Sequence, residues 1–322
     1  MKSRRHLICW FALLLAGCST VAFEPSGEKG ARTAETACEF TREPEPEGLS
    51  GISRIAGDRY YCVDDRGGLL HEVEISIGDD GDVKGFAVLR SVKLEGRQDL
   101  EGCAVDPLDG RVWVSDEKDT SVRQFDPQTG KETARVEIPA VFSRHVVRNR
   151  SFEALAISPD GYRMYVANED TLACDGAVAD RDHGGVIRIQ EFVRTGKGCP
   201  WSPARQFRYR TEPVEGDEFK GVAISGVAAL CAPGDGSLLV LEREMSQKTP
   251  LFPSFHARLY EISLDGEGDC PPKHVVWDEN TMFANYEGIC LGPMLKDGSR
   301  ALVLVSDGGG EADESVLILS LR

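Results

Sequence analysis

The strongest constraint on the fold of this chain is a motif that occurs five times. Each copy starts with a small or acidic residue and a Gly or Ala, and enters a short apolar strand. It then turns into a second apolar strand that ends at a carboxylate. The copies span residues 50–65, 101–117, 153–169, 225–242 and 287–307. A repeat of this length that is built from strands predicts a β-propeller, in which each copy contributes one blade.

The number of strands after each copy sets the number and size of the blades. Copies two to four are followed by enough strand-like sequence for four strands, but the fifth shows only three before Arg322. The segment from Cys38 to Arg42 is the natural fourth strand, because a terminal strand that completes the last blade removes an exposed edge. We therefore predict an all-β fold, a single β-propeller of five four-stranded blades closed by an N-terminal strand. Six blades are the alternative, with a degenerate blade within residues 170–205.

The N-terminal residues predict a targeting signal rather than a part of the fold. Lys2, Arg4 and Arg5 precede an apolar stretch, residues 7–15, that is too short to span a bilayer. The following sequence Leu15-Ala16-Gly17-Cys18 resembles the lipobox of bacterial lipoproteins, in which cleavage leaves an acylated Cys. We expect a signal peptide at 1–17 and lipid attachment at Cys18, with an ordinary signal peptide as the alternative. The protein would then be lipid-anchored in the bacterial cell envelope, at the outer membrane or facing the periplasm.

Composition separates a tether from the folded body and restricts the partners. Residues 18–37 are poor in apolar side chains and predict a flexible tether, which leaves 38–322 for the propeller. The chain has a net charge of −16. Without the three basic residues of the signal, 34 basic residues face 53 acidic ones, a net charge of −19. Such a body repels nucleic acid, so no nucleic-acid partner is expected. It suits a cation, or a small anionic or ester substrate that a cation bridges.

The cysteines predict disulfides. Apart from Cys9 and Cys18, eight cysteines remain, and an even number in an exported protein favours pairing. Cys231 and Cys270 are the favoured pair, because both fall in hairpin loops of one repeat at the same edge of the sheet. Three others lie within apolar strands and fit either buried thiols or disulfide partners, namely Cys62, Cys103 and Cys290.

The repeated carboxylates predict a cation site at one mouth of the propeller. The first strand of each hairpin begins, and the second ends, at the same edge of its sheet, so the acids collect there. Calcium takes six to eight oxygen ligands in flexible geometry, which such a set can supply. We expect a calcium site formed by Glu101, Asp116, Glu153, Glu169, Glu287 and Asp307. The alternative is that each acid caps turns or backbone amides within its own blade.

Basic residues near the same mouth suggest a place for an anion. Arg144, Arg148 and Arg150 crowd just before Glu153, and arginine suits bidentate contacts to phosphate or carboxylate. They either bind an anion or neutralise the acids, whereas Arg66 and Arg243 directly follow acids and are expected to neutralise them. The catalytic candidates are Glu153, Glu169, Arg148 and Arg150.

Several stretches together resemble one known family. Leu49-Ser50-Gly51-Ile52 with Val63-Asp64-Asp65, and Asn149-Arg150-Ser151-Phe152-Glu153-Ala154, are similar to motifs of the family described as esterase-like activity of phytase. Leu239-Val240-Leu241-Glu242-Arg243 and Asn285-Tyr286-Glu287-Gly288 are similar to its later motifs. The resemblance covers nearly all of the chain after Gly48. Ala154 stands where the family has Gly, and Gly308-Gly309 stands where it has two Asn residues.

The resemblance and the acidic mouth together suggest a function. We expect a calcium-assisted hydrolase of phosphoesters or other esters, in which the cation polarises the scissile bond and a carboxylate acts as base. A non-catalytic ligand-binding module of the cell surface is one alternative, and a propeller lactonase with a single divalent ion is another. The sequence does not choose the substrate.

Overall fold

The first strands of five successive sheets contact one another in a closed cycle, which makes the molecule a propeller. The computed structural model describes residues 31–43, 45–96, 99–147, 150–216, 223–247, 254–266, 268–282, 284–308 and 314–322. Within these ranges, every sheet has four antiparallel strands, so the prediction of five four-stranded blades is confirmed. In this part of the chain, no helix is long and apolar enough to cross a membrane.

The strands are numbered in chain order, and four of the five blades use consecutive strands. The first ten are β1 (Ala34–Thr41), β2 (Leu49–Ala56), β3 (Arg59–Asp64), β4 (Leu69–Ile77), β5 (Val83–Lys93), β6 (Leu100–Val105), β7 (Val112–Asp116), β8 (Ser121–Phe125), β9 (Glu132–Arg135) and β10 (Phe152–Ile157). The others are β11 (Arg163–Asn168), β12 (Val186–Val193), β13 (Ser202–Arg210), β14 (Ala223–Cys231), β15 (Ser237–Ser246), β16 (Ser254–Ser263), β17 (Lys273–Met282), β18 (Tyr286–Met294), β19 (Arg300–Ser306) and β20 (Ser315–Leu321). A single helix among the described residues, α1 (Ala140–His145), links β9 to β10.

Blades 1 to 4 are the sheets β2–β5, β6–β9, β10–β13 and β14–β17, and blade 5 joins both ends of the described chain. Its strand order is β1-β20-β19-β18, with Ala34 opposite Leu321 and Thr41 opposite Ser315. Strand β1 begins at Ala34, four residues before the boundary that the sequence predicts, so residues 34–37 belong to a blade rather than to the tether. The innermost strands cycle in the order β2, β6, β10, β14, β18 and back to β2.

The predicted disulfide between Cys231 and Cys270 is wrong, because both residues are free cysteines. They do lie at the same edge of blade 4. However, Cys231 ends the innermost strand β14, and Cys270 lies in the outer hairpin between β16 and β17. Neighbouring strands are about 4.8 Å apart, so two intervening strands exceed the Cα separation that a disulfide spans. All eight described cysteines are free, and four of them are buried, namely Cys62, Cys103, Cys231 and Cys290.

A β-bulge at the same place in every innermost strand explains the acid-Gly motif. In blade 3, Phe152 pairs with Asn168 and Ala154 with Ala167, so Glu153 is the extra residue. A bulge leaves its extra residue outside the ladder and bends the strand. Gly51, which follows the bulge of blade 1, lies against the next innermost strand, where a Cβ would come within 2.3 Å of the carbonyl oxygen of Glu101. The motif therefore combines a displaced side chain with close packing of adjacent strands.

The central channel narrows just below the bulges. The cavity at this point has a volume of only about 10 Å³. It is lined by small residues and by larger apolar neighbours such as Ile52 and Leu155; the small residues are Gly51, Gly102, Ala154, Ala229 and Gly288. Below it, an apolar cavity of about 180 Å³ opens at the opposite end of the channel. The narrow section makes the acidic end a cup whose floor is apolar apart from Glu287.

Candidate functional site

Three rings of five positions, one from each blade, surround the acidic end of the channel. The bulge ring contains the extra residues of the innermost strands, which are Ser50, Glu101, Glu153, Ala228 and Glu287. The strand-end ring contains the residues that pair just before each bulge, which are Asp64, Asp116, Asn168, Glu242 and Ser306. The rim ring contains the residues that follow these, which are Asp65, Glu117, Glu169, Arg243 and Asp307.

The strand-end ring is satisfied inside the blades. Asp64 accepts from Nε2 of His71 at 3.0 Å and from the backbone N–H of Gly67 at 2.6 Å. These bonds, acting against burial, lower the pKa of Asp64. Asp116 forms a buried ion pair with Arg123. Because their partners lie within the same sheet, these acids are turned away from the channel. For them the alternative prediction applies, in which an acid is satisfied by groups of its own blade.

Glu242 shows the same inward pairing in blade 4. Its Oε1 lies 2.7 Å from Nζ of Lys273 and accepts from the hydroxyl of Tyr209 at 2.5 Å. The Lys273 ammonium also lies 4.0 Å from the ring centroid of Tyr260. A buried carboxylate with this many donors is satisfied and has no need of a cation from solution.

The bulge ring and the rim ring bring carboxylates together at the mouth, and two of these carboxylates have no partner. One carboxylate oxygen from each of Glu117, Glu153 and Glu169 lies within 4.8 Å of the others. Glu101 and Glu153 are 8% and 7% exposed. Within the described residues, neither of these two carboxylates has a hydrogen-bond or ion-pair partner. Unpaired carboxylates buried to this extent require an explanation, and a bound cation or ordered water is the usual one.

The electrostatic strain of this cluster is visible in its pKa values. Burial, followed by the charge of Glu153, raises the pKa of Glu101 well above the usual range. Burial and the charge of Glu169 do the same for Glu153. Burial raises the pKa of Glu287 to about 8, although Arg243 opposes the shift. Burial and Glu169 raise the pKa of Glu117 to about 7. Each carboxylate is therefore hard to ionise without a compensating positive charge.

Asp65 lies on the blade 1 side of the same mouth. Its Oδ1 is buried and has no hydrogen-bond partner, although Nε of Arg66 is 3.7 Å away. Burial, and next the charge of Asp307, raise the pKa of Asp65 to about 6. This carboxylate is therefore a proton acceptor that changes state in the range where a general base works.

Arg243 breaks the acidic pattern of the rim ring. Four blades place a carboxylate at this position, and blade 4 places a guanidinium there. Its Nη2 lies 2.5 Å from Oε1 of Glu169, and its Nη1 forms an ion pair with Glu287 and reaches Oδ1 of Asn285 at 3.3 Å. The prediction that Arg243 neutralises acids is confirmed, but its partners belong to blades 3 and 5 rather than being the adjacent Glu242.

Other predicted site residues occupy different positions. Arg150 lies at the mouth, with Nη1 at 3.4 Å from Oε1 of Glu169 and 3.8 Å from Oδ2 of Asp170. Arg144 is exposed near the end of helix α1, and Arg148 lies outside the described residues. Glu101, Glu153, Glu169, Glu287 and Asp307 belong to the bulge and rim rings, but Asp116 does not.

Two members of the site were missed from the sequence. The sequence pattern favours Asp116 over Glu117 as the site residue of blade 2. The two acids are adjacent, and only the strand register decides which of them faces the mouth. In blade 4 the motif was placed at Ser225-Gly226, whereas the bulge is Ala228, three residues later. The signal that could have found it is spacing: Ala228 lies 14 residues before Glu242, and blades 1 to 3 keep a separation of 14 or 15 residues between the bulge and the strand-end residue.

A separate cavity lies away from the mouth, between blades 3 and 4. It has a volume of about 570 Å³ and is lined by charged residues that include Arg258, Lys273 and Glu212. These charges are already paired, since Arg258 lies 3.0 Å from Glu215 and Lys273 lies 2.8 Å from Glu212. At the mouth, by contrast, the carboxylates of Glu101 and Glu153 have no partner among the described residues, and we therefore regard the mouth as the functional site.

Comparison with known proteins places most of the chain in one family. The family model Phytase-like, described as esterase-like activity of phytase, matches residues 45–308. No curated protein matches the chain.

Solved structures with similar folds are distant. Hydrazine synthase of Kuenenia stuttgartiensis is 16% identical, with a TM-score of 0.40, over 85% of this chain and 63% of that chain. The chain thus spans less than two thirds of that protein. Glutaminyl cyclase of Myxococcus xanthus is 11% identical, with a TM-score of 0.44, over 90% and 98% of the two chains. The PQQ-bound aldose sugar dehydrogenase of Streptomyces coelicolor is 11% identical, with a TM-score of 0.45, over 93% and 100%. None of these similarities is close enough to transfer an activity.

Proposed function

The chain belongs to the phytase-like family, described as esterase-like activity of phytase, and on this premise we propose that it is a divalent-cation-assisted hydrolase of phosphoesters or other esters. Calcium is the proposed cation. The observation that carries the proposal is the pair of buried, unpartnered carboxylates of Glu101 and Glu153 at the mouth. Burying such groups without compensation is unfavourable by several kcal/mol per ion, on the order of what a bound cation can offset.

The residues at the mouth fit a hard cation with oxygen ligands. Glu117, Glu153 and Glu169 would hold it, because their carboxylate oxygens already converge within 4.8 Å. Glu101 and Glu287 would complete the negative surroundings, since both act electrostatically on this cluster. A bound divalent cation would act as a Lewis acid that polarises the ester oxygen.

The chain's own groups supply the other functions that hydrolysis requires. Asp65 has an unpaired buried oxygen and a pKa raised to about 6, so it is suited to accept the proton of an attacking water. Arg150 is partly exposed beside Glu169 and would hold the anionic part of the substrate. The narrow apolar section of the channel closes the site from below and keeps the reacting groups away from bulk water on that side.

The location of the protein is part of the proposal. The lipobox-like sequence ending at Cys18 would anchor it by lipid to a membrane of the bacterial cell envelope. The mouth would then meet small anionic or ester substrates at the cell envelope. The signal peptide at 1–17 and the lipid site lie outside the described residues.

The first experiment measures the Tm of the purified protein against free calcium after treatment with a chelator. A saturable rise in Tm is expected, because a ligand that binds only the native state stabilises it. Magnesium and manganese serve as comparisons. No rise with any of the three ions would contradict the proposed cation site.

Turnover is then tested with calcium present on a panel of phosphoesters, carboxylic esters and lactones. The substitution Glu153→Gln should abolish turnover and the calcium-induced rise in Tm while the protein stays folded. Unchanged turnover in this variant would contradict the assignment. Saturable ligand binding without turnover would favour the non-catalytic binding module, and selective ring opening of lactones would favour the lactonase.

A further inference from the structure

A chain of three polar side chains crosses blade 1, and no step of the proposed hydrolysis uses it. Nε2 of His71 lies 3.0 Å from Oδ2 of Asp64, and Nδ1 of His71 lies 2.8 Å from Oγ of Ser91. The three residues come from β3, β4 and β5, which are neighbours in one sheet. Asp64 and His71 are 5% and 3% exposed, whereas Ser91 is exposed to solvent. The chain therefore leads from a buried acid to a hydroxyl that a ligand can reach.

Asp64 determines which nitrogen of His71 carries a proton. Burial opposes its ionisation, but hydrogen bonds from His71 and from the backbone N–H groups of Leu69 and Gly67 lower the pKa of Asp64. An ionised carboxylate only accepts, so Nε2 of His71 is the donor to it. In the neutral ring Nδ1 is then an acceptor, and the hydroxyl of Ser91 donates to it. This is the arrangement in which a histidine acts as general base toward a serine nucleophile.

The backbone N–H of Ser91 is available for a developing negative charge. The N–H of Leu94 donates to the carbonyl oxygen of Gly68 at 3.1 Å, and His71 lies opposite Ser91 in the same register. Hydrogen-bonded and non-hydrogen-bonded pairs alternate along antiparallel strands, so His71 and Ser91 form a non-hydrogen-bonded pair. The N–H of Ser91 therefore points away from β4. Because β5 is the outermost described strand of blade 1, this donor can reach a bound ester.

A β-bulge beside Ser91 exposes apolar side chains. Arg90 pairs with Glu72 and Val88 with Val73, so Leu89 is the extra residue of β5. Val88 and Leu89 are 40% and 48% exposed. Bulges are frequent next to active sites, and apolar surface of this kind favours contact with a hydrocarbon group. The ligand that fits is a carboxylic ester with a short apolar acyl group.

We propose that Ser91 is a second, metal-independent nucleophile of this protein, with His71 as its general base and Asp64 as the positioning residue. Oγ of Ser91 attacks the carbonyl carbon of the ester, and its proton moves to Nδ1 of His71. The tetrahedral intermediate expels the alcohol, which takes the proton from His71 and leaves Ser91 acylated. A water molecule then attacks the acyl group, and its proton passes through His71 to Oγ as the carboxylic acid is released.

The test is labelling of the purified protein with an alkyl fluorophosphonate, which transfers its phosphonyl group to an activated serine with loss of fluoride. The reaction is run with chelator, and the labelled peptides are identified by mass spectrometry. Ser91 is expected to be labelled stoichiometrically. The internal control is Ser202, which is also exposed on an outermost strand, β13, but lies opposite Val193. Its hydroxyl should react far more slowly, and this comparison needs no variant.

Two variants test the roles of His71 and Asp64. Asp64→Asn keeps an oxygen for the N–H groups of Gly67 and Leu69 but presents an amide N–H to Nε2 of His71. His71 then carries its proton on Nδ1 and cannot accept from Ser91. Labelling of Ser91 should slow by about a hundredfold or more, the contribution of a general base. His71→Gln should have the same effect, whereas Ser202→Ala should leave the rate at Ser91 unchanged.

The outcomes keep this inference apart from the proposed function of the mouth, on which it does not rest. Labelling of Ser91 no faster than that of Ser202 would overturn it, and so would an unchanged rate in a folded Asp64→Asn variant. Loss of labelling with chelator would also contradict it. Turnover at Ser91 survives chelator, so the turnover assigned to the mouth is the part that calcium adds. Glu153→Gln should remove that part and leave the labelling of Ser91 unchanged.

Discussion

The charge of Glu117 gives the most direct test of the reasoning about the mouth. Glu117 is half-buried, and its Oε1 accepts a hydrogen bond from the backbone N–H of Ser151 at 3.1 Å. Burial, and then Glu169, raise its pKa from 4.5 to about 7. The substitution Glu117→Gln removes the charge, while its side-chain oxygen can still accept from Ser151. It should therefore stabilise the protein when no cation is present.

The magnitude and its sign follow from linkage. A raised pKa means that the folded protein holds this proton more tightly than the unfolded chain. The resulting loss of stability is absent below the unfolded pKa, grows as pH rises, and is complete above pH about 7. At about 1.4 kcal/mol per pKa unit the shift corresponds to about 3 kcal/mol, and solvent screening of a half-buried group reduces this to about 1–3 kcal/mol.

Thermal melting with and without calcium is the assay. At pH about 8 with chelator, Glu117→Gln should melt a few degrees higher than the unmodified protein. The difference should shrink near pH 5 and vanish below pH about 4, where the unfolded chain is protonated as well. With saturating calcium the order should reverse, because the variant has lost a ligand. The control is Glu47→Gln, which changes an acid outside the three rings whose side chain is 47% exposed. It should shift the free energy of unfolding by less than about 0.5 kcal/mol. A lower Tm for Glu117→Gln at pH about 8 with chelator, together with an undiminished calcium response, would refute the reasoning.

Three further predictions test how the rest of the molecule is held together. Asp116→Asn should destabilise the protein by about 3 kcal/mol, measured by urea unfolding, because it removes the buried ion pair between Asp116 and Arg123, and it should spare the calcium response. Arg194→Met should destabilise by about 3–5 kcal/mol in the same assay, since the buried Asp106 loses two bonds of 2.6 Å; a change below about 1 kcal/mol would show that this link between blades 2 and 3 is dispensable. A thiol reagent should modify the two exposed cysteines, Cys174 and Cys270, quickly in the native protein, as read by mass spectrometry. Four buried cysteines should react only after unfolding, because the reagent cannot reach them in the native protein: Cys62, Cys103, Cys231 and Cys290.

The blades could be predicted because their strand pairing is local. Each hairpin joins strands that follow one another in the chain, so alternation of apolar residues and the turns between them were enough to count five sheets. The repeated acid-Gly pairs also showed that carboxylates gather at one end. The glycines could be recognised as a motif, but their cause, a bulge packed against the neighbouring innermost strand, emerged only from the assembled ring.

The orientation of individual acids could not be predicted, because a shift of one residue turns a strand side chain to the opposite face. Asp116 and Glu117 are adjacent, yet the first pairs with Arg123 inside its blade and the second converges with the carboxylates of Glu153 and Glu169. In blade 4 a bulge three residues from the expected place puts Ala228 where other blades have an acid. The composition of the site therefore depends on register, which the repeat pattern left open.

By itself, the sequence determined the fold class, the blade count and the acidic character of one mouth, because these follow from local periodicity and repeated residue types. Only the tertiary structure decided which carboxylates remain unpartnered and where the compensating charge lies. Arg243 meets Glu169 and Glu287 across two blade boundaries, at separations of 74 and 44 residues. Contacts between residues so far apart in the chain form only once the ring of blades has closed. The local pattern of one strand does not encode which side chains of another blade that strand will face.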